Sequence, residues 1–156
     1  MQRIAGSLSA QGYSVLLVGR KKASSTILQD QPFQQKRLSC FFEKGFLFYA
    51  EYNLRLFLFL LFTRADILCA IDLDTILPCY FSSRLKKQKR VYDAHELFTE
   101  QAEIIRRPTV QKIWSWIEAF AVPRFTWGYT VNQFIADHFQ KKYGVTYTVI
   151  RNLPIC

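Results

Sequence analysis

Short apolar runs alternate with amphipathic segments along the chain. Apolar runs bounded by turn residues are typical of strands, and apolar residues at helical spacing are typical of helices. This pattern predicts strands at residues 13–19, 34–39, 65–71, 91–93, 127–131 and 147–150. It predicts helices at residues 2–11, 45–62, 75–87, 108–122 and 133–143. The alternation of strand and helix indicates an α/β fold with a Rossmann-like, doubly wound and mostly parallel sheet.

The apolar character of each run predicts which faces are buried. The runs at 13–19 and 65–71 are almost continuously apolar, which is typical of strands buried on both faces of a parallel sheet. Cys69 is therefore expected to be a small, buried hydrophobic residue. The run at 34–39 carries basic residues and is expected at an exposed edge. In the helix at 108–122, the predicted apolar face carries Ile113, Trp116, Ile117 and Phe120.

The segment 45–62 is the most hydrophobic part of the chain. A membrane-spanning helix needs about 20 largely apolar residues. This segment is shorter and contains Glu51, Asn53 and Arg55 near its middle. We therefore predict a helix packed under the sheet that does not span a membrane. Peripheral contact of its aromatic residues with a membrane surface, assisted by the flanking basic residues, is the alternative.

Polar side chains follow three of the predicted strands at their carboxyl ends. They are Asp72 and Asp74, then Asp93, His95 and Glu96, and finally Asn132. Ligands of open parallel sheets bind in the crevice beyond the carboxyl ends of the strands. We therefore expect these side chains to lie along one rim and to form a ligand site.

Helix capping is the competing interpretation of the same side chains. Asp74 is the better candidate for capping the helix that begins at Thr75, which leaves Asp72 more open to a ligand. Asn132 is placed to cap the helix at 133–143, which Gly144 should end. His95 and its neighbours would then be ordinary polar residues of a loop.

The formal net charge of +9 suggests an anionic partner, such as a phosphorylated ligand or an acidic membrane surface. Simple solubility is the alternative explanation. Nucleic acid is disfavoured as a partner, because the basic residues cluster at helix ends and loops without an RNA-binding aromatic signature on a strand. The run at 86–90, for example, closes a predicted helix, where cations are favoured by the helix dipole.

The four cysteines do not form a metal or redox motif, because no pair has the two-residue spacing of such motifs. We expect no metal and no cofactor. No apolar core of a secretory signal is visible at residues 1–10. A reduced, cytoplasmic location is therefore expected.

Five stretches of the sequence resemble those of a known protein family in their order and spacing. They are Gly-Tyr-Ser-Val-Leu-Leu-Val-Gly at 12–19, Asp-Leu-Asp-Thr at 72–75, Val-Tyr-Asp-Ala-His-Glu-Leu-Phe at 91–98, Thr-Val-Asn at 130–132 and Val-Ile-Arg-Asn-Leu-Pro at 149–154. Together they resemble the N-terminal, acceptor-side domain of a retaining family 4 glycosyltransferase with the GT-B architecture. The resemblance covers nearly the whole chain.

The resemblance implies a role for each candidate residue. His95 would face the donor sugar as a catalytic residue, with Glu96 beside it. The acceptor would be bound by Asp72, Asp74, Asp93 and Asn132. Residues 1–150 would form the Rossmann-like domain, and residues 151–156 would begin the interdomain hinge, with Arg151, Asn152 and Pro154.

The same resemblance implies the partners. The full enzyme would transfer a sugar, with retention, from a nucleotide-sugar donor held by a second domain to a glycan or lipid-linked acceptor. Its location would be cytoplasmic, with peripheral contact on the inner face of the membrane. The alternative function is a non-catalytic, basic Rossmann-like module that binds an anionic ligand.

Several parts of the family pattern are not found in this sequence. They are the first strand, the glycine-rich loop that follows it, and the donor domain with its paired glutamates. We therefore expect an incomplete domain that has no transferase activity by itself. The missing strand would lie between the strands at 13–19 and 65–71. Those two strands must then pair directly or leave a gap, which predicts a rearranged sheet or marginal stability.

Overall fold

The computed structural model of the protein describes residues 2–151. Its helices are α1 (Gln2–Ala10), α2 (Gly45–Phe62), α3 (Ile76–Lys86), α4 (Ala102–Ile105), α5 (Pro108–Ala121) and α6 (Gln133–Tyr143). Its strands are β1 (Leu16–Lys21), β2 (Gln34–Ser39), β3 (Ile67–Ile71), β4 (Lys89–Ala94), β5 (Trp127–Thr130) and β6 (Thr148–Val149). Short 3₁₀ turns occur at Leu73–Thr75, Phe98–Glu100 and Val122–Arg124. Every predicted helix and strand is present, with small shifts of its ends.

The strands form two parallel sheets. β1 pairs with β2, and the second sheet has the order β3-β4-β5-β6. All of these pairings are parallel, which confirms the Rossmann-like α/β class. β1 and β3 belong to different sheets, so the direct pairing that we considered for them does not occur in the part of the chain that is described.

The chain divides into two compact units. The first runs to Leu56 and contains β1, β2 and most of α2. The second begins at Phe57 and contains the four-stranded sheet. The interpretation of residues 1–150 as one incomplete domain stays a prediction.

Helix α2 has the predicted length but not the predicted packing. Tyr52, Leu56 and Leu60 form a buried stripe, because residues four apart lie on one side of a helix. Only 17% of the segment is buried, so the prediction of a helix packed under a sheet is wrong for most of its length. Among the described residues, α2 is the one helix that is long and apolar enough to cross a membrane.

Strand β3 is buried on one face only. Leu68 and Ala70 are buried, whereas Ile67 and Cys69 are exposed. Successive side chains of a strand point to opposite faces of the sheet, and here one of the two faces is uncovered. The predictions that this strand is buried on both faces, and that Cys69 is buried, are therefore wrong.

The core of the second unit lies on the covered face of the sheet. The aromatic ring of Tyr92 in β4 is 1% exposed. Its centroid is 6.0 Å from that of Phe125, 6.1 Å from that of Phe139 and 6.0 Å from that of Tyr147. The Tyr147 hydroxyl donates a hydrogen bond to the Phe125 carbonyl at 2.9 Å, so this buried polar group is satisfied.

Helix α5 turns a different face inward from the one that we predicted. Trp114, Glu118 and Ala121 are buried, whereas Ile113 is 44% exposed and Trp116 is 67% exposed. The predicted face was chosen by hydrophobicity alone, and that criterion rejects a face with a glutamate in its middle. The helix can bury Glu118 because other side chains satisfy its carboxylate, as described below.

Gly128 in β5 is required by the core. A Cβ added at this position would lie 2.7 Å from Cε1 of Tyr147 and 2.8 Å from the backbone oxygen of Tyr92. We therefore expect Gly128→Ala to lower the free energy of unfolding by about 1–3 kcal/mol, as overpacked core substitutions do. The measurement is urea unfolding followed by circular dichroism. Gly19→Ala in β1 is the matched control, because an added Cβ there meets nothing within 4 Å. Equal stability of the two variants would contradict this account.

Candidate functional site

The carboxyl ends of β3 and β4 bring together three of the predicted site residues, Asp72, Asp93 and His95. The backbone N–H of Asp72 donates to the Asp93 carbonyl at 2.9 Å. In return, Oδ1 of Asp72 accepts a hydrogen bond from the backbone N–H of His95 at 3.0 Å. These two bonds tie together the chain where it leaves two neighbouring parallel strands, as the strand-end argument predicted.

The His95 ring lies between two carboxylates. Its Nδ1 is 3.9 Å from Oδ2 of Asp72, and its Nε2 is 2.9 Å from Oδ1 of Asp93. The second of these contacts is close but is not aligned as a hydrogen bond. The His95 side chain is 33% exposed, so part of it is accessible to a ligand.

Asp93 lies behind His95 and does not reach the surface. Its side chain is fully buried, and its Oδ2 accepts a hydrogen bond from the Tyr129 hydroxyl at 2.7 Å. Tyr129 stands opposite Asp93 in the register of β4 and β5. The prediction that Asp93 binds the acceptor directly is therefore corrected. This buried carboxylate can position His95 but cannot touch a ligand at the rim.

Burial raises the pKa values of the three aspartates at the rim, Asp72, Asp74 and Asp93. It raises the pKa of Asp93 above the ordinary value of an aspartate, against the hydrogen bond from Tyr129 and the attraction of His95. It also raises the pKa of Asp72, against the hydrogen bond from the His95 amide. Burial, together with the charges of Asp72 and Glu96, raises the pKa of Asp74 to about 6. All three carboxyl groups therefore hold a proton more tightly than a fully exposed aspartate does.

Asp72 has a strained backbone. Its φ of 56° and ψ of 176° fall in a region that L-residues rarely adopt and that glycine adopts freely. An aspartate in this conformation is held by its surroundings, here by the two hydrogen bonds to Asp93 and His95. Strain of this kind occurs often at functional sites, and it is a second observation that favours a site at this position.

The two remaining acidic residues, Glu96 and Asp74, lie on the segments that follow β4 and β3. Glu96 is exposed, and its Oε1 accepts a hydrogen bond from the Gln101 side chain. Thr75 is the N-cap residue of α3, without a side-chain cap bond, and its hydroxyl donates to the Ile71 carbonyl at 2.6 Å. The prediction that Asp74 caps this helix is therefore wrong.

The polar residue after β5 behaves as a cap. Oδ1 of Asn132 accepts a hydrogen bond from the Ile135 amide at 3.0 Å, and Gly144 ends the helix with a φ of 71°. Both capping predictions for α6 are confirmed. The cap occupies one of the two lone pairs of its amide oxygen, so Asn132 is less available to a ligand than an uncapped asparagine would be.

The predicted hinge is described only at its beginning. Arg151 is exposed. Asn152 and Pro154 lie outside the described residues. Their assignment to an interdomain hinge stays a prediction.

A buried glutamate that the sequence did not reveal supports the segment after His95. The Glu118 carboxylate accepts hydrogen bonds from the Thr99 hydroxyl at 3.1 Å, from Lys142 Nζ at 2.7 Å and from the Tyr143 hydroxyl at 2.6 Å. The Gln111 side chain donates to the Thr99 carbonyl at 3.1 Å. Thr99 is thereby fixed to α5 through both its side chain and its backbone. The sequence feature that could have indicated this burial is the spacing of Glu118, which lies four residues after Trp114 and so on the same side of α5.

In the part of the chain from residue 2 to residue 151, no group of three histidine, cysteine or acidic side chains is arranged to hold a metal ion.

The strain at Asp72 can be measured by two substitutions at the same position. Asp72→Gly and Asp72→Ala both remove the carboxylate, but only glycine adopts the observed backbone freely. We expect the alanine variant to have a free energy of unfolding lower than that of the glycine variant by about 1–3 kcal/mol. Urea unfolding of both proteins provides the measurement. An alanine variant as stable as the glycine variant would show that the backbone at this position is unstrained.

The raised pKa of Asp74 makes stability depend on pH. A carboxyl whose pKa is raised in the folded state contributes stability that is fully present below its ordinary pKa of 3.8 and lost as the pH rises through about 6. We therefore expect Asp74→Asn to become more stable than the unaltered chain as the pH rises from 4 to 7, by up to about 3 kcal/mol. Urea unfolding across this pH range measures the difference. Asp137→Asn, at an exposed aspartate of α6, is the control for removing a carboxylate from the chain. If the difference in free energy of unfolding between Asp74→Asn and the unaltered chain does not change with pH, the pKa of Asp74 is not raised in the folded protein.

Comparison with known proteins assigns no family to this site. No protein-family model matches the chain, and no curated protein matches it significantly.

Proposed function

We propose that this chain supplies the acceptor-side half of a retaining glycosyltransferase of the GT-B architecture. The observation that carries the proposal is the position of His95, between Asp72 and Asp93 at the carboxyl ends of two adjacent parallel strands. The donor, a nucleotide sugar, would be held by a second domain that faces this rim. The acceptor would be a glycan or a lipid-linked molecule.

The chemistry of the rim favours a neutral ligand with many hydroxyl groups. Ionised carboxylates only accept hydrogen bonds, and sugar hydroxyls are good donors to them. Asp72 has a side chain that is 24% exposed, and Glu96 is exposed on the segment that follows β4. The exposed part of His95 would then contact the donor sugar that is transferred to the acceptor. In this proposal Asp93 and Tyr129 hold the imidazole in place and do not touch the substrate.

The same geometry indicates what the second domain must provide. A departing nucleoside diphosphate carries negative charge, and its departure is accelerated by fixed positive groups or hydrogen-bond donors near that charge. The rim presents carboxylates and one histidine, which cannot neutralise a diphosphate. We therefore infer that His95 and its neighbours orient the acceptor and the donor sugar, whereas the phosphates are bound elsewhere. The chain alone is then inactive as a transferase.

The second candidate function is a non-catalytic module that binds an anionic ligand. The net charge of +9 favours it. The local charge at the rim opposes it, because the negative charges of Asp72 and Glu96 contribute to raising the pKa of Asp74, and a phosphate would meet the same repulsion. An anion bound by this chain would therefore lie away from His95.

Ligand titration of the isotopically labelled chain separates the two functions. We expect methyl glycosides at millimolar concentration to shift the backbone amide signals of residues 72–75 and 93–96, because their hydroxyls would bind the carboxylates there. Inorganic pyrophosphate should leave these signals unchanged. In Asp72→Asn and His95→Gln the apparent affinity for the glycoside should fall by about tenfold, the effect of losing one hydrogen bond to a charged or aligned group.

The control is Asp137→Asn, which removes a carboxylate from an exposed position on α6 and should bind the glycoside normally. Shifts at residues 72–75 and 93–96 caused by pyrophosphate and not by any glycoside would replace the transferase proposal with the anion-binding module. Glycoside affinity that is the same in all variants would place the sugar away from His95.

A further inference from the structure

Helix α2 is apolar on its exposed side as well as on its buried side. Leu47, Leu54 and Leu58 are 55%, 59% and 47% exposed. Their spacings of seven and four residues place them together, on the side of the helix opposite to the buried stripe. The exposed side of a helix in a globular protein is normally polar. An apolar stripe that faces outward therefore indicates a surface that contacts something else.

The segment before the helix adds two exposed aromatic rings to this surface. Phe41 is 86% exposed and Phe42 is 46% exposed. Their backbone N–H groups donate to the Glu51 carboxylate, each at 2.9 Å to Oε2. Arg55 completes the arrangement, with its Nε 2.7 Å from Oε1 of Glu51 and its guanidinium 5.1 Å from the centre of the Phe41 ring. The two phenylalanines are thus fixed beside the helix.

The polar residues in the middle of α2 are satisfied within the first unit. Glu51 is bound by Arg55 and by the two phenylalanine amides, and the Asn53 side chain donates to the Tyr49 carbonyl at 2.9 Å. A hydrogen bond from the Phe42 amide is the largest of the effects that lower the pKa of Glu51, so this carboxylate stays ionised. An ion pair in the middle of a spanning helix is costly, whereas it is tolerated on the flank of a helix that lies at an interface.

Basic side chains border the apolar surface. Lys44 is exposed just before α2 begins, and Arg55 lies on one flank of the helix. On the same flank, the Arg20 guanidinium lies 3.9 Å from the centre of the Phe48 ring and donates to the Glu43 carbonyl at 2.8 Å. Lys21 and Lys22, which follow at the end of β1, are exposed. A basic flank beside an apolar face complements the negative charge of an anionic lipid surface.

We propose that the lipid-docking surface, formed by Phe41, Phe42, Leu47 and Leu54, binds an anionic lipid bilayer with α2 lying in the plane of the interface. The apolar side chains enter the boundary between headgroups and acyl chains, and the basic flank contacts the anionic headgroups. A second copy of this chain is a poorer occupant, because a two-fold contact would bring like-charged basic flanks together. This inference does not depend on the transferase proposal, since it uses none of the residues near His95.

Vesicle co-sedimentation of the full chain tests the proposal. We expect the protein to bind vesicles of equimolar phosphatidylcholine and phosphatidylglycerol, and to bind phosphatidylcholine vesicles much more weakly. Raising the salt concentration should weaken binding, because it screens the basic flank. The double variants Leu47→Gln/Leu54→Gln and Phe41→Ser/Phe42→Ser should each lower the partition coefficient by about tenfold or more, since two apolar side chains no longer enter the lipid.

Phe134→Gln on α6 is the matched control, because Phe134 is 71% exposed but lies outside the lipid-docking surface. It should bind vesicles as the unaltered chain does, and circular dichroism should show equal helix content in all variants. Partition coefficients that are the same for the double variants and for Phe134→Gln would overturn the proposal. So would bound protein that resists extraction at high pH, which indicates a spanning helix. A dimer that forms without lipid and dissociates on Leu47→Gln/Leu54→Gln would assign the surface to a second copy.

Discussion

The reciprocal hydrogen bonds between Asp72 and the end of β4 are the constraint on which the candidate site depends. One bond uses the backbone of Asp72 and the other uses its side chain, so a single residue fixes both the spacing of the strand ends and the direction in which the chain leaves β4. The cost is an unfavourable backbone conformation at Asp72. The benefit is that the His95 ring lies between two carboxylates.

The support behind this arrangement is layered across the sheet and the helices. Asp93 is held from β5 through Tyr129, and Thr99 is held from α5 and α6 through Glu118. The chain on both sides of His95 is therefore anchored to buried groups, while its own side chain is partly exposed. A rigid, buried support with a small accessible part is the arrangement that positions a functional group accurately.

Much of this structure could be predicted from the sequence because it depends on local pattern. The order of helices and strands, the parallel class and the alignment of Asp72 and Asp93 along one rim follow from hydrophobic periodicity and from the geometry of parallel strands. The cap at Asn132 follows from its type and position. The predictions of which faces of β3 and α5 are buried were wrong. Ile67 and Cys69 look as buried as their neighbours in sequence, and only the tertiary structure decides which side of a strand is covered. Glu118 was missed for the opposite reason, since its burial depends on partners 19 to 25 residues away.

The division of the chain also has a consequence for how the site is assembled. The bond between the His95 amide and Asp72 joins residues only 23 positions apart, within one strand–helix–strand crossover. Closing a loop of this length costs less entropy than closing a longer one. Every group that holds His95 comes from the second unit. Both carboxylates that flank His95 thus belong to the β3–α3–β4 crossover, and later elements of the same unit support them through Tyr129 and Glu118.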